Sequence, residues 1–341
     1  MSDQPNNQTI FNNTPKHIAI IGGGVAGMSC ALWLNQLGLS PIIIERDSAL
    51  GGQLLNYNRV NNWVLGFQDK TSIELASLYH RHVVAENIPI SYCTELTSIE
   101  SIERGYRLFL QNADFKSVMD IEALVIATGI RASIPENFSH IEGFNLLCAT
   151  KLIYGFPTDH LDKLDFLRGK RVAVIGGGDN AHFTTADIAL NAACTFLLIR
   201  SQAKAQTKIR QKVQALISEG RVIEYQETTI QCFRQLQEGI EISLLTASLE
   251  PLKITVDLVF IRTGFTPNTE FISTFPPLAQ IEQKPRGYLH TDSCQRTSIT
   301  SVYAIGDVAS PTLQSVVTAI AQGAIAAHSI AKDIDARGQQ C

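Results

Sequence analysis

The sequence predicts an α/β chain in which helices alternate with strands of parallel sheets. Two stretches carry that prediction, "HIAIIGGGVAGMS" at 17–29 and "KRVAVIGGGDNAHF" at 170–183. Each is an apolar strand that runs into a glycine turn and opens a helix. The third observation is length: 341 residues exceed what one core usually serves, so two domains are expected.

The elements follow in order. From Lys16 come the strand "HIAII", the helix "MSCALWLNQLG" and the strand "PIIIER". Short alternating strands fill 90–128, among them "YRLFLQ" and "ALVIATG". The pattern restarts at 170 with "KRVAVIGGG", the helix "AHFTTADIALN" and the strand "TFLLIR". An amphipathic helix then carries Ile209, Val213, Leu216 and Ile217 on one face. The strands "EISLLT" and "TVDLVFI" lead to "VYAIGDV" and an alanine-rich helix from about 314 to 333.

Composition narrows the function. Hydrophobic residues make up 45% and charged residues 18%, an ordinary globular balance. Twenty-eight Lys+Arg against thirty-two Asp+Glu leave a net charge of −4, which argues against a nucleic-acid partner. No apolar run reaches the roughly 18 residues of a membrane helix, so no membrane partner is expected. Residues 1–16, rich in Asn and Gln, have neither the basic nor the apolar region of a secretory signal. They read as a disordered tail, and the expected location is the cytoplasm. The seven cysteines, at 30, 93, 148, 194, 232, 294 and 341, form no CxxC pair, and no metal-ligand cluster stands out. Most are expected to be small buried residues. Cys30 shows why, because with Gly27, Ala31 and Leu34 it follows the spacing of one helix face.

The glycine turns carry the chemistry. Gly22, Gly24 and Gly27 form a GxGxxG: the first makes the tight turn, the second lets a pyrophosphate approach the backbone, and the third lets helix and strand pack closely. Glu45 ends the next strand eighteen residues after Gly27, where a carboxylate would meet a ribose hydroxyl pair. Gly176, Gly178 and Ala181 form a second turn, GxGxxA, and Arg200 ends its second strand nineteen residues after Ala181. An arginine there can accept a 2′-phosphate, or it can be a solvated strand end. The first turn therefore suits FAD or another dinucleotide with a free ribose, and the second leans to NADPH, with NADH possible. Two dinucleotide sites in one chain suit a flavoprotein reductase, in which the cofactors carry the chemistry.

The sequence resembles the thioredoxin reductase-like flavoproteins over about 17–333. The resemblance rests on "GGGVAG", "GGQLL" at 51–55, "VNNW" at 60–63, "IATG" at 126–129, "GGGDNA" at 176–181, "TGFTPNT" at 263–269, "GYLHTDSCQRTS" at 287–298 and "AIGDV" at 304–308. It implies two Rossmann-like three-layer domains. The FAD domain would combine 17–130 with 268–341, and an NAD(P)H domain, 131–267, would be inserted between them. A homodimer and rotation between the domains are implied as well. By the same resemblance Gln53, Asn62, Gly306, Asp307 and Gln314 line the flavin, while Asp179 and Asn180 join the nicotinamide turn. Asp307 also has its own reading, as a carboxylate after a buried strand, placed to bond a ribityl hydroxyl.

The departures are informative. Where thioredoxin reductases carry the redox pair "CATC", this chain has "CATK", Cys148 to Lys151, followed by a longer loop-like segment over 151–168. One cysteine cannot form an internal disulfide; Cys148 is either an inert remnant or a thiol for mixed disulfides, with Cys341 of a second subunit as a candidate counterpart. The basic clamp "HRRDxFR" is here "RSQAKAQ" at 200–206, leaving Arg200 and Lys204 as phosphate partners. Arg200, Lys204, Lys208 and Lys212 recur every fourth residue, which would line one helix flank as a solvated face or as a docking stripe for an acidic carrier. The family's Arg-Gln pair after "GDV" corresponds to Gln314-Ser315. Ferredoxin–NADP reductases of the same superfamily also lack the cysteine pair, but usually carry a C-terminal extension that is not seen after the last helix here. The leading expectation is an FAD-dependent NAD(P)H oxidoreductase serving ferredoxin or flavodoxin. The alternatives are a thiol or disulfide reductase using Cys148 and, outside enzymes, a flavin-binding redox sensor or interaction module.

Overall fold

The computed structural model describes residues 9–10, 17–56, 58–133, 138–148, 153–154 and 164–338. The chain divides into two compact units, one of residues 1–130 with 267–341 and the other of Arg131–Thr266. The first unit begins with the strands β1 (Thr9–Ile10) and β2 (His17–Ile21), the helix α1 (Val25–Gln36) and β3 (Ser40–Ile44). Then come α2 (Ser72–Ala85), β4 (Ile90–Ser91), β5 (Glu95–Ile102), β6 (Gly105–Gln111), β7 (Lys116–Ile121) and β8 (Ala123–Ile126). The chain leaves through β9 (Ile130–Ala132). The second unit holds α3 (Phe144–Cys148), β10 (Ile153–Tyr154), β11 (Arg171–Ile175), α4 (Asp179–Ile188), β12 (Cys194–Leu198), α5 (Thr207–Ser218) and β13 (Val222–Tyr225). It closes with β14 (Thr229–Gln235), β15 (Ile240–Leu245), β16 (Pro251–Val256) and β17 (Leu258–Ile261). The return runs through β18 (Phe265–Pro267), α6 (Glu270–Thr274), β19 (Val302–Ala304) and α7 (Val316–Gly338).

Each unit is a parallel sheet between a helical layer and an antiparallel sheet. In the first, the parallel order is β19-β8-β2-β3-β4. Successive side chains on a strand point to opposite faces. Ile18 and Ile20 therefore join Cys30, Leu34, Ala326 and Ile330 on the side of α1 and α7. Ala19 goes to the other side, with Ile99, Leu108 and Met119 of the antiparallel strands β5–β7. A strand buried on both faces must be apolar at every position, which is why "HIAII" reads as a run and not as an alternation. The second unit repeats the scheme with order β10-β17-β11-β12-β13. Val172 and Val174 face Ala186 of α4 and Val213 of α5, while Ala173 and Ile175 face Phe233, Ile242 and Ile254 of β14–β16.

Several expectations change. The stretch 1–16, read as a tail, supplies β1, which pairs parallel with β7; its other residues lie outside the described ones, as does Cys341. Within the segment read as a loop, β10 adds a parallel edge strand to β17, and Lys151 and 155–163 lie outside the described residues. α5 starts only at Thr207, so Arg200 and Lys204 stand in the loop before it and do not share its flank with Lys208 and Lys212. The reason is local: the Lys204 N–H donates to Gly177 O (2.7 Å), which holds that residue off the helical path. Of the described cysteines only Cys30 is buried; Cys93 and Cys148 are exposed, and Cys194, Cys232 and Cys294 are half-buried. Three helices were not anticipated, the short α3 and α6 and the longer α2. α2 begins with a capping box in which Thr71 Oγ1 accepts from Glu74 N (3.2 Å) and the Glu74 carboxylate accepts from Thr71 N (2.8 Å). Its buried stripe is Leu75, Ala76 and Val83.

Candidate functional site

In the first unit the glycine turn joins β2 to α1. Gly22 has φ +109°, and a Cβ there would lie 2.5 Å from Ala127 O, so both the backbone angle and the space require glycine. A Cβ at Gly27 would lie 2.1 Å from Gly22 O, which is the close packing of helix on turn expected for this position. Gly24 differs, because a Cβ there would meet nothing within 4 Å. Gly24 is the N-cap of α1, and no side chain caps the helix. The first-turn N–H groups, which have no partner inside a helix, thus face open space beside a residue without a side chain. The "GGQLL" turn approaches from one side, with a Cβ at Gly52 only 3.1 Å from Gly24 Cα.

Glu45 sits just after β3, buried, and its carboxylate faces the turn. Oε2 accepts from Gly23 N (2.6 Å) and Oε1 from Asp47 N (2.8 Å). Each carboxylate oxygen keeps a free lone pair, so a ribose hydroxyl remains a possible partner, while the backbone bonds fix its orientation. Gln53 Nε2 donates to Ile130 O (2.6 Å), which ties the "GGQLL" turn to the strand end that follows "IATG". Asn62 is exposed in the turn before Trp63.

On the other side of the same parallel sheet, β19 delivers the turn Gly306–Val308. Gly306 has φ +74°, and a Cβ there would lie 2.8 Å from the Ala26 Cβ of α1. Asp307 is half-buried, and desolvation raises its pKa to about 6, with no charged neighbour contributing. No hydrogen bond to its carboxylate is made by the described residues. A half-buried carboxylate with no donor among the described residues suits a ligand that brings one, such as a sugar hydroxyl. Gln314 and Ser315 take up structural contacts: Gln314 Nε2 donates to Tyr288 OH (2.9 Å), and Ser315 Oγ accepts from Thr318 N (3.2 Å) as the N-cap of α7.

The second unit repeats the turn between β11 and α4. Gly176 has φ +143°, and its Cβ would lie 2.2 Å from Arg262 O. Gly178 caps α4 without a side-chain partner, and a Cβ there again meets nothing within 4 Å. Ala181 is buried against Gly176, and Asn180 is half-buried in the first turn. Asp179 does something the sequence did not indicate. Its carboxylate accepts from both Gln206 N (2.7 Å) and Gln206 Nε2 (2.8 Å). Together with the bond from Lys204 N to Gly177 O, this fastens the loop bearing Arg200 and Lys204 onto the glycine turn. Both cations are exposed. Only the separation of 27 residues hides this pairing from a sequence reading.

Cys148 ends α3 and is exposed, and desolvation raises its pKa above that of an ordinary thiol, the opposite of what a reactive thiolate needs. Among the described residues no group of three or more His, Cys, Asp or Glu could hold a metal, and no helix is long and apolar enough to cross a membrane.

Comparison with known proteins agrees with this geometry. The family model described as pyridine nucleotide-disulphide oxidoreductase matches residues 16–323. The thioredoxin reductase of Buchnera aphidicola subsp. Schizaphis graminum is 27% identical over 321 residues, 92% of this chain and 95% of its own length. The ferredoxin–NADP reductase of Pediococcus pentosaceus is 27% identical over 331 residues, 93% of either chain. Among solved structures, T. acidophilum thioredoxin reductase superposes with a TM-score of 0.80 at 23% identity, covering 94% of this chain and 100% of that one. The fold is thioredoxin reductase-like, with two Rossmann-like parallel sheets.

Proposed function

Because this chain belongs to the pyridine nucleotide-disulphide oxidoreductase family, we propose that it takes hydride from NADPH onto FAD and passes electrons to a small external carrier, ferredoxin or flavodoxin. The observation that carries the reading is the duplicated turn, with Gly24 and Gly178 each leaving open space at an uncapped helix start. Bound FAD would supply a two-electron acceptor for hydride and a one-electron donor for the carrier.

The chain's own residues orient and bind. The α1 terminus would receive the FAD pyrophosphate, Glu45 and Asp307 would accept from sugar hydroxyls, and Gly306 would keep its turn close to Ala26. In the second unit the α4 terminus would receive the nicotinamide dinucleotide, and Arg200 and Lys204 would meet a 2′-phosphate. The ferredoxin–NADP reductase of P. pentosaceus supports a carrier as acceptor. So does the lone Cys148: with its pKa raised, it supports neither an internal disulfide nor a reactive thiolate. A homodimer belongs to the same reading and is checked by sedimentation.

The deciding test is an anaerobic titration of the FAD-loaded protein, following flavin absorbance, with NADPH and then NADH. Bleaching by NADPH at far lower concentration than NADH is the expected result. No bleaching by either nucleotide would end the reductase reading. NADPH-driven reduction of the oxidised carrier that survives Cys148→Ser then separates carrier reduction from thiol chemistry.

A further inference from the structure

Gln322 lies on α7, in a stretch that otherwise reads as an alanine-rich packing face, and nothing in the reading above uses it. Its side-chain amide makes two bonds to one turn. Oε1 accepts from Gly306 N (2.6 Å), and Nε2 donates to Ser310 Oγ (2.6 Å). The turn so held carries Asp307. The amide itself is fixed by the crossing of α7 on α1. A Cβ at the adjacent Gly323 would lie 2.7 Å from both Ala26 O and Cys30 N, and Ser29 Oγ donates to Ile320 O (2.8 Å). Gly306 in turn approaches Ala26, so α1, α7 and the turn lock one another at a single point.

We propose that Gln322 is a positioning residue for FAD, holding the Gly306–Ser310 turn so that the Asp307 carboxylate is presented, desolvated, to the cofactor. The inference rests on the first unit being the FAD site. An amide suits this position better than the residues of similar size. It offers an acceptor and a donor together, whereas methionine offers no donor and only a weak acceptor, and glutamate would place a second negative charge on the turn of Asp307. Without the acceptor, the N–H of Gly306 is left unpaired in a buried turn, and the turn relaxes to pair it elsewhere.

The test uses the full-length apoprotein, reconstituted with FAD and followed by flavin fluorescence between pH 4.5 and 8. In the wild type, affinity should fall as pH drops through about 6, because Asp307 takes up a proton there. Burial is the cause of that value, and no charged group on α1, α7 or β19 contributes. In Gln322→Met the Kd for FAD should rise about tenfold, the equivalent of one lost buried hydrogen bond. The inflection should move down toward the ordinary carboxylate value of about 4 as the turn loosens and Asp307 regains water. The Kd for NADPH should not change. Wild-type FAD affinity and inflection in Gln322→Met overturn the proposal. Should that variant fail to fold, Ser310→Ala, which removes one of the two bonds, must weaken FAD binding in the same direction or the proposal falls. Asp307→Asn separates the two levels. Unchanged FAD binding in it defeats the site assignment and the inference together, whereas loss in Asp307→Asn without loss in Gln322→Met defeats the inference alone.

Discussion

At the scale of single residues, the two glycine turns distinguish space for folding from space for a ligand. A methyl at Gly27 would strike Gly22 O at 2.1 Å, while one at Gly24 meets nothing. Gly27→Ala should therefore destabilise the apoprotein by about 1–3 kcal/mol, read from urea denaturation. Gly24→Ala should leave that stability close to wild type and still abolish tight FAD binding; retained FAD would remove Gly24 from the site. Asp307 makes a second prediction, and its sign follows from its raised pKa. The folded protein holds the proton to about pH 6, the unfolded chain only to about 3.8, so the native state loses stability as pH rises through that interval. Apoprotein Asp307→Asn should be more stable than wild type at pH 7.5, by about 2 kcal/mol, and no more stable at pH 4. A difference that persists at pH 4 would show that burial of charge is not its cause. Gly22, Gly24, Gly27 and Gly176 were legible from spacing alone because strand, turn and helix are contiguous. The bonds of Gln53, Asp179 and Gln322 were not, because each joins residues far apart in sequence.

At the scale of elements, the loop between β12 and α5 is shaped by its contact with the turn before α4. Asp179→Ala releases Gln206 and, with it, the segment that carries Arg200 and Lys204. The expected outcome is a KM for NADPH raised about tenfold with kcat little changed, about 1.4 kcal/mol of lost positioning. An unchanged KM would mean that the loop finds its place without the staple. The start of α7 offers a contrast. Ser315 caps the helix through Thr318 N, so Ser315→Ala should cost about 1 kcal/mol in thermal unfolding and leave the flavin spectrum as it was. A changed spectrum would place Ser315 at the cofactor. Strand positions were readable here because strands buried on both faces are apolar at every residue. α2 was readable in principle from Thr71 and Glu74 three residues apart, with Leu75, Ala76 and Val83 following at helical spacing, but its apolar stripe is narrow beside the strong runs of the parallel strands.

At the scale of the whole molecule, each parallel sheet carries a core on either face. The second unit is continuous in sequence, Arg131–Thr266. Produced alone, it should unfold in a single cooperative urea transition and bind NADPH with a Kd near that of the full chain. A broad, non-cooperative transition would show that its cores depend on the rest of the chain. By itself the sequence determined the class of fold, the two glycine turns and the lack of a second cysteine to pair with Cys148, because each of these is written in residues next to one another along the chain. Tertiary structure alone decided what faces those turns. It turned Asp179 toward Gln206, gave Gly306 to Gln322 and left Asp307 half-buried with no donor among the described residues, since hydrogen-bond partners are chosen by distance in space, and these partners are brought together only when the sheets and helices have packed.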